Sequence, residues 1–276
     1  MKHRIVLFLA LLVCGISLPS LSGLLIPPFS IIPESFTVLY AIILSSIFLL
    51  ISIFLRYRKS TYWQILFAFF IAGLAILFDL LVNLPAQNMA GFVLDMLAST
   101  LIITGTILVF TIISGNSLGS IFLKKGKVRI GLIFGLVGFL FFALTSIPAA
   151  QYLFQGQNLS LSKFLNWMPW ILPIVLLNGV REELLYRGLF LNKFGPKLGS
   201  KTSNVLQAII FSLSHSVAGV GINAYTPYVW VLVIFTFSLG LVWGYIMQRT
   251  DSIMGSVLFH AGTDIPVFLG IFSNTF

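Results

Sequence analysis

Two glutamates stand side by side in the run Arg181-Glu182-Glu183-Leu184-Leu185-Tyr186-Arg187-Gly188. Charge inside an apolar stretch is costly, so each carboxylate there needs a reason. On a helix, Glu183 and Arg187 lie four residues apart on one face and can pair as ions. Glu182 points about 100° away from Glu183 and cannot use the same partner equally well. It is therefore the carboxylate left free to face a cavity. Two more polar pairs repeat the four-residue spacing. Phe211-Ser212-Leu213-Ser214-His215-Ser216 sets a ring beneath the His215 imidazole, and Phe259-His260-Ala261-Gly262-Thr263-Asp264 puts His260 and Asp264 on one face.

A glutamate and a histidine that converge on one water make a general base. A second histidine with a donor or acceptor one turn away can stabilise a developing oxyanion. Glu182, His215 and His260 also match in number the three protein ligands of a catalytic zinc, although the chain has no H-E-x-x-H. Each feature has a plainer role beside the chemical one. Arg187 could snorkel at a helix end with help from Lys193 and Lys197. His215 could be a hydrogen-bonded packing residue, and His260 with Asp264 an internally satisfied pair. Small residues at Gly255, Ser256, Ala261 and Gly262 allow close helix contact whether or not a site is present. The plain roles leave two adjacent glutamates unexplained. Two of the three histidines and three of the seven acids fall in these late clusters, and one polar cavity is their most economical use. Asn178, one turn before Glu182, can line it. Asp79 and Asp95 fall near span ends and read as interfacial carboxylates.

The elements that must carry these residues follow from composition. The chain has 276 residues, 58% hydrophobic and only 8% charged, with a mean hydropathy of +1.06. Soluble domains carry about 25% charged residues, so a soluble fold is excluded, as are a disordered chain, a collagen and a disulfide-stapled domain. The lone Cys14 forms no internal disulfide. The net charge of +9 sits in short clusters between apolar runs rather than on a basic face, which argues against nucleic acid as a partner. The lipid bilayer is the partner instead.

Runs of about 20 apolar residues occur at 5–25, 37–55, 62–82, 92–113, 130–149, 168–190, 202–218, 227–247 and 253–272. Breaks fall at Pro27-Pro28 and Pro33, from Asn83 to Pro85, Gly115 to Lys127, Gly195 to Ser200, and Asn223 to Pro227. The expected fold is an all-α polytopic transmembrane bundle of about nine spans. Lys2-His3-Arg4 and Ser20-Leu21-Ser22 also resemble a signal peptide, whose removal would leave eight, but apolar character runs on to Ile26 and favours a retained span. Lys and Arg fall at 2 and 4, at 56, 58 and 59, at 124, 125, 127 and 129, at 187, 193, 197 and 201, and at 249. The alternate loops 26–36, 83–91, 150–167 and 219–226 hold only Lys163. By the positive-inside rule the N-terminus is cytoplasmic and the C-terminus outside. Tyr62-Trp63, Trp167 and Trp170 read as interfacial belts. The expectation is a multi-pass protein of the cell membrane.

At the polar clusters the sequence resembles the CPBP family of intramembrane proteases, which includes the type II CAAX prenyl endopeptidases and bacterial relatives called Abi proteins. Three ordered motifs carry the resemblance: EExxxR with a following glycine (Glu182, Glu183, Arg187, Gly188), FxxxH (Phe211, His215) and a final Hxxx(N) (His260, Asp264). It covers 165–272 as a catalytic transmembrane region and leaves 1–160 as spans without assignable chemistry. The resemblance implies an endopeptidase in which Glu182 and His215 activate water, Glu183 and Arg187 support them, and His260 with the residue four later holds the oxyanion. It also implies peptide, membrane-protein or prenylated substrates, and either a metal such as zinc or a metal-free glutamate mechanism. Asp264 departs from the pattern, because the commoner residue there is Asn, which can donate a hydrogen bond where an ionised Asp cannot. Asp264 would then orient His260 or stay protonated. Two other functions remain open: a proton-coupled transporter relaying protons through the same groups, and a non-catalytic relative acting as an immunity or scaffold protein. The confinement of polar groups to one third of the chain, without internal repeats, speaks against the transporter.

Overall fold

Long runs of Leu, Ile, Phe and Ala with no water to satisfy the backbone leave the helix as the only spanning structure open to this chain. The computed structural model describes residues 2–18, 36–82, 84, 87–221 and 226–276, with backbone alone at 216–221 and 226–229. The expected breaks at Pro27-Pro28, Pro33, Pro85 and Asn223, most of the loops 26–36 and 219–226, and Ser20-Leu21-Ser22 lie outside the described residues. Within them every regular element is helical: α1 Lys2–Ile16, α2 Thr37–Tyr57, α3 Trp63–Leu81, α4 Met89–Ile113, α5 Val128–Leu144, α6 Ser146–Phe154, α7 Leu161–Glu182, α8 Leu191–Leu198, α9 Ser200–Gly221, α10 Thr226–Thr250 and α11 Met254–Thr275. A 3-10 turn at Leu118–Ile121 and a π-helical turn at Glu183–Gly188 complete the chain.

Starts are set by side chains that satisfy the first free amides. Asn88 accepts from the Gly91 amide at 2.8 Å to open α4, and Ser160 accepts from the Lys163 amide at 3.2 Å to open α7. Among the described residues five helices are long and apolar enough to cross a membrane: α2, α3, α4, α10 from Trp230, and α11. The pair α5 and α6, bent by 68° at Thr145, would add a sixth if the two are one span. The protein is integral to the membrane. The sequence suggests nine apolar runs, and the difference has local causes. α1 is 15 residues long as described, α7 contains Pro169, Pro173 and Asn178, and α9 contains Gln207, Ser212, Ser214 and His215. Polar and helix-bending residues lower the hydropathy of the stretches that build the site.

Exposed apolar side chains cover the periphery, among them Phe54, Val137, Phe141 and Leu144. Inside, α5 and α11 touch backbone to backbone. A methyl group on Gly135 would meet the Gly255 carbonyl oxygen at 2.8 Å, and one on Gly255 would meet that of Gly131 at 2.6 Å. Without a hydrophobic drive between helices in lipid, such close contact is a main source of association. α9 and α10 are instead joined by side-chain amides. Asn204 donates to the Leu241 carbonyl at 2.9 Å, and Gln207 donates to that of Gly240 at 3.0 Å. α7 closes on α11 in turn, where a methyl group on Gly179 would sit 3.0 Å from the Val257 carbonyl oxygen, and α7, α9, α10 and α11 border one interior space.

Candidate active site

The polar centre begins where α7 ends. Pro169 and Pro173 remove two backbone donors from α7, and from Glu183 the chain widens into the π-helical turn. Leu189 closes it by donating to the Leu184 carbonyl, five residues back, at 3.0 Å. Turns of this kind recur at functional sites because they re-aim side chains. Here the turn carries Glu183 and Arg187 into the interior, where neither side chain is exposed. Arg187 Nη1 donates to Glu183 Oε1 at 2.7 Å, and its guanidinium lies 4.0 Å from the Phe211 ring centroid and 5.0 Å from that of Trp243. A buried cation without water is thus neutralised by a carboxylate and faced by aromatic rings.

Glu183 Oε1 serves a second partner, His260 Nδ1 of α11, at 2.8 Å. A paired carboxylate only accepts, so Nδ1 carries the hydrogen and the ring turns Nε2 away from Glu183. Trp243 fixes the ring plane by stacking on it, with centroids 4.0 Å apart at 7°. His215 of α9 is set in the same way. Its Nδ1 lies 2.9 Å from the Phe211 carbonyl oxygen, which can only accept, and its ring packs 4.2 Å from the Phe211 ring. Ser214, which receives a hydrogen bond from Tyr186 at 3.1 Å, sits 3.1 Å from the same nitrogen. Both imidazoles therefore point Nε2 inward.

Glu182 Oε2 meets them there, 3.5 Å from His215 Nε2 and 3.5 Å from His260 Nε2. These three groups border a cavity of about 200 Å³ whose walls also include Phe235, Leu239 and Phe268. Asp264 lies on the same wall, with Oδ1 3.6 Å from His260 Nε2. Arg181, on the other side, is 3.6 Å from Glu182 Oε1. A carboxylate and two imidazole nitrogens thus converge on one space. Such a convergence can hold and deprotonate one small donor, such as water.

All six residues singled out from the sequence, Glu182, Glu183, Arg187, His215, His260 and Asp264, are gathered within this one centre. Asn178 joins it through a hydrogen bond to Asp264 at 2.8 Å. Asp79 and Asp95 do not line the cavity. Sequence reasoning gave no role to Arg181, Ser99 or Trp243. Arg181 had a signal, since it sits three residues after Asn178 on one helix face. Ser99 and Trp243 had none, because their contacts cross between helices distant in sequence. Glu182, His215 and His260 do not fit a metal as they stand: among the described residues no group of three His, Cys, Asp or Glu side chains could hold one.

Residues 164–266 match the family model of the type II CAAX prenyl endopeptidase Rce1-like proteins. That region, just over a third of the chain, is similar to the CAAX-protease family. The match runs from the first turn of α7 to Pro266 of α11 and takes in every charged group of the centre. No curated protein and no solved structure matches the chain. The matched segment is thus the one whose helices α7, α9, α10 and α11 and π turn bring Glu182, His215 and His260 together.

Proposed function

We propose that the protein is an intramembrane endopeptidase that hydrolyses peptide bonds of membrane-associated substrates, prenylated C-terminal peptides foremost. The observation that carries the reading is the placement of Glu182 Oε2 at 3.5 Å from the Nε2 atoms of both His215 and His260. In this reading a water donates to Glu182 and to His215. As its oxygen attacks the peptide carbonyl carbon, the leaving proton passes to Glu182 and the carbonyl oxygen takes up the negative charge. Glu182 then returns that proton to the amide nitrogen, the oxyanion collapses as the C–N bond breaks, and the carboxylic acid formed gives its remaining proton to the amine, leaving a carboxylate and an ammonium. Glu183 and Arg187 hold His260 in register from below, through the 2.8 Å bond to Nδ1. No step passes through a metal.

The family description supports the substrate class, and the apolar cavity wall suits a lipid-modified chain. The alternation of Lys and Arg along the sequence supports nine crossings with the N-terminus cytoplasmic. That topology gives the π turn and the basic α8 a cytoplasmic aspect, the side from which a peptide tail arrives. The test is cleavage of a quenched farnesylated peptide by the full chain in proteoliposomes. Glu182→Gln and His215→Ala are expected to lower kcat by about 1,000-fold and 100-fold respectively, the range for positioned acid–base groups. Unchanged rates in well-inserted variants would overturn the assignment.

A further inference from the structure

The reaction proposed above needs a hydrogen-bond donor where the carbonyl oxygen gains charge. Asp264 cannot supply it when ionised, since a carboxylate only accepts. The group bonded to it can. Asn178 Nδ2 donates to Asp264 Oδ2 at 2.8 Å, while Asn178 Oδ1 accepts from Arg181 Nη2 at 2.5 Å. Arg181 is itself fixed by Ser99, whose hydroxyl oxygen accepts from Nη1 at 2.7 Å.

These partners determine which end of the amide is which. A flipped amide would set oxygen against the Asp264 carboxylate and NH₂ against the Arg181 guanidinium, acceptor on acceptor and donor on donor. The amide nitrogen therefore faces Asp264. It carries two hydrogens, one bound there, and the second has no acceptor among the described residues. Asn178 is 93% buried, with 7% exposure, and lines the same cavity as Glu182 and His260. Arg181 pulls on the amide oxygen and makes the nitrogen's remaining hydrogen a stronger donor.

Resting on the peptidase reading, we infer that Asn178 is the oxyanion donor of this site. The amide that the motif's last position lacks is supplied from α7, and Asp264 serves to aim it. Asp264 then has two edges in use: Oδ2 holds Asn178, and Oδ1, 3.6 Å from His260 Nε2, faces the imidazole. Arg181 is a positioning residue that fixes the amide from its oxygen end.

The experiment exchanges the two side chains. Wild type, Asn178→Ala, Asn178→Asp and the reciprocal double variant Asn178→Asp/Asp264→Asn are reconstituted as full chains and assayed on the quenched farnesylated peptide, with Glu182→Gln alongside. Asn178→Ala is expected to lower kcat about 100-fold with KM within about threefold. Asn178→Asp, which opposes two carboxylates, is expected to lose at least as much. The double variant keeps an amide bonded to a carboxylate and returns a donor to α11. It is expected to recover kcat to within about tenfold of wild type. A purely structural role would lower the yield of inserted protein without this selective rescue. Asn178→Ala with kcat within about twofold of wild type, or a double variant no better than Asn178→Asp, overturns the inference alone. Absence of any Glu182-dependent cleavage overturns the peptidase reading and the inference with it.

Discussion

α3 and α11 are the most buried of the membrane-length helices, with 56% and 67% of their apolar windows inside the protein. They reach that burial by opposite means. The inward side chains of α3 run Ile65, Ala68, Phe69, Phe70, Ile71, Ala72, Ala75, Ile76 and Leu77, with no polar group among them. Phe69 packs on Phe48, Phe190 and Phe194 with ring centroids at 5.3, 4.8 and 6.0 Å. α11 buries Ser256, His260 and Thr263 among its glycines and apolar residues. Each has a named partner: Ser256 donates to the Trp243 carbonyl at 2.7 Å, Thr263 to that of His260 at 2.7 Å, and His260 is held by Glu183. In lipid, apolar surface gains little from moving inside, so α3 is specified by size and shape. Polar groups cannot face lipid, so α11 is specified by partners. Losing a partner should therefore cost more than losing volume.

Breaking the partner side gives the largest effect expected. Arg187→Met leaves Glu183 buried beside His260 with its countercharge gone, and is expected to destabilise the folded protein by about 4 kcal/mol. The loss should appear as a collapse of thermal stability in detergent and as failure to accumulate in membranes. The α3 side gives the next. Phe69→Ala empties a ring-sized space without stranding charge. The loss should be about 2 kcal/mol, from lost packing contacts and the cavity, with activity per folded molecule unchanged. The smallest effect is expected where a carboxylate has no part in either scheme. Asp79→Asn, at the end of α3, should alter stability by less than about 0.5 kcal/mol and leave peptide cleavage intact. A large effect at Asp79, or a larger one at Phe69 than at Arg187, would reverse the comparison.

The sequence alone goes further for the site than for the fold. Four-residue spacings make the pairs Glu183–Arg187, Phe211–His215 and His260–Asp264 readable, because a helix puts such residues on one face whatever surrounds it. The geometry of Glu183 was half readable. Its ion pair with Arg187 follows from spacing, but its second bond to His260 crosses 77 positions and depends on how α7 packs against α11. Trp243 behind His260 is invisible for the same reason. Helix existence is also legible, since apolar length suffices for α2, α3 and α4. The bend at Thr145 has its cause in the sequence, because Pro148 offers no N–H to the Leu144 carbonyl four residues back and crowds it. The π turn at Glu183 has no such mark: there is no proline at that break, and it goes with a tertiary contact, the approach of Gly188 to the Ile121 carbonyl, where a methyl group would sit at 3.2 Å. Hydropathy is least informative for α7 and α9, the two helices that give Glu182 and His215 to the centre.

If Glu182 delivers a water oxygen to a peptide carbonyl, cleavage of the farnesylated peptide in H₂¹⁸O, read by the masses of the fragments, leaves one ¹⁸O in the newly formed carboxylate with wild-type protein and no fragments above background with Glu182→Gln. Labelled fragments formed at the wild-type rate by Glu182→Gln, or no cleavage by either protein, would contradict that role of Glu182.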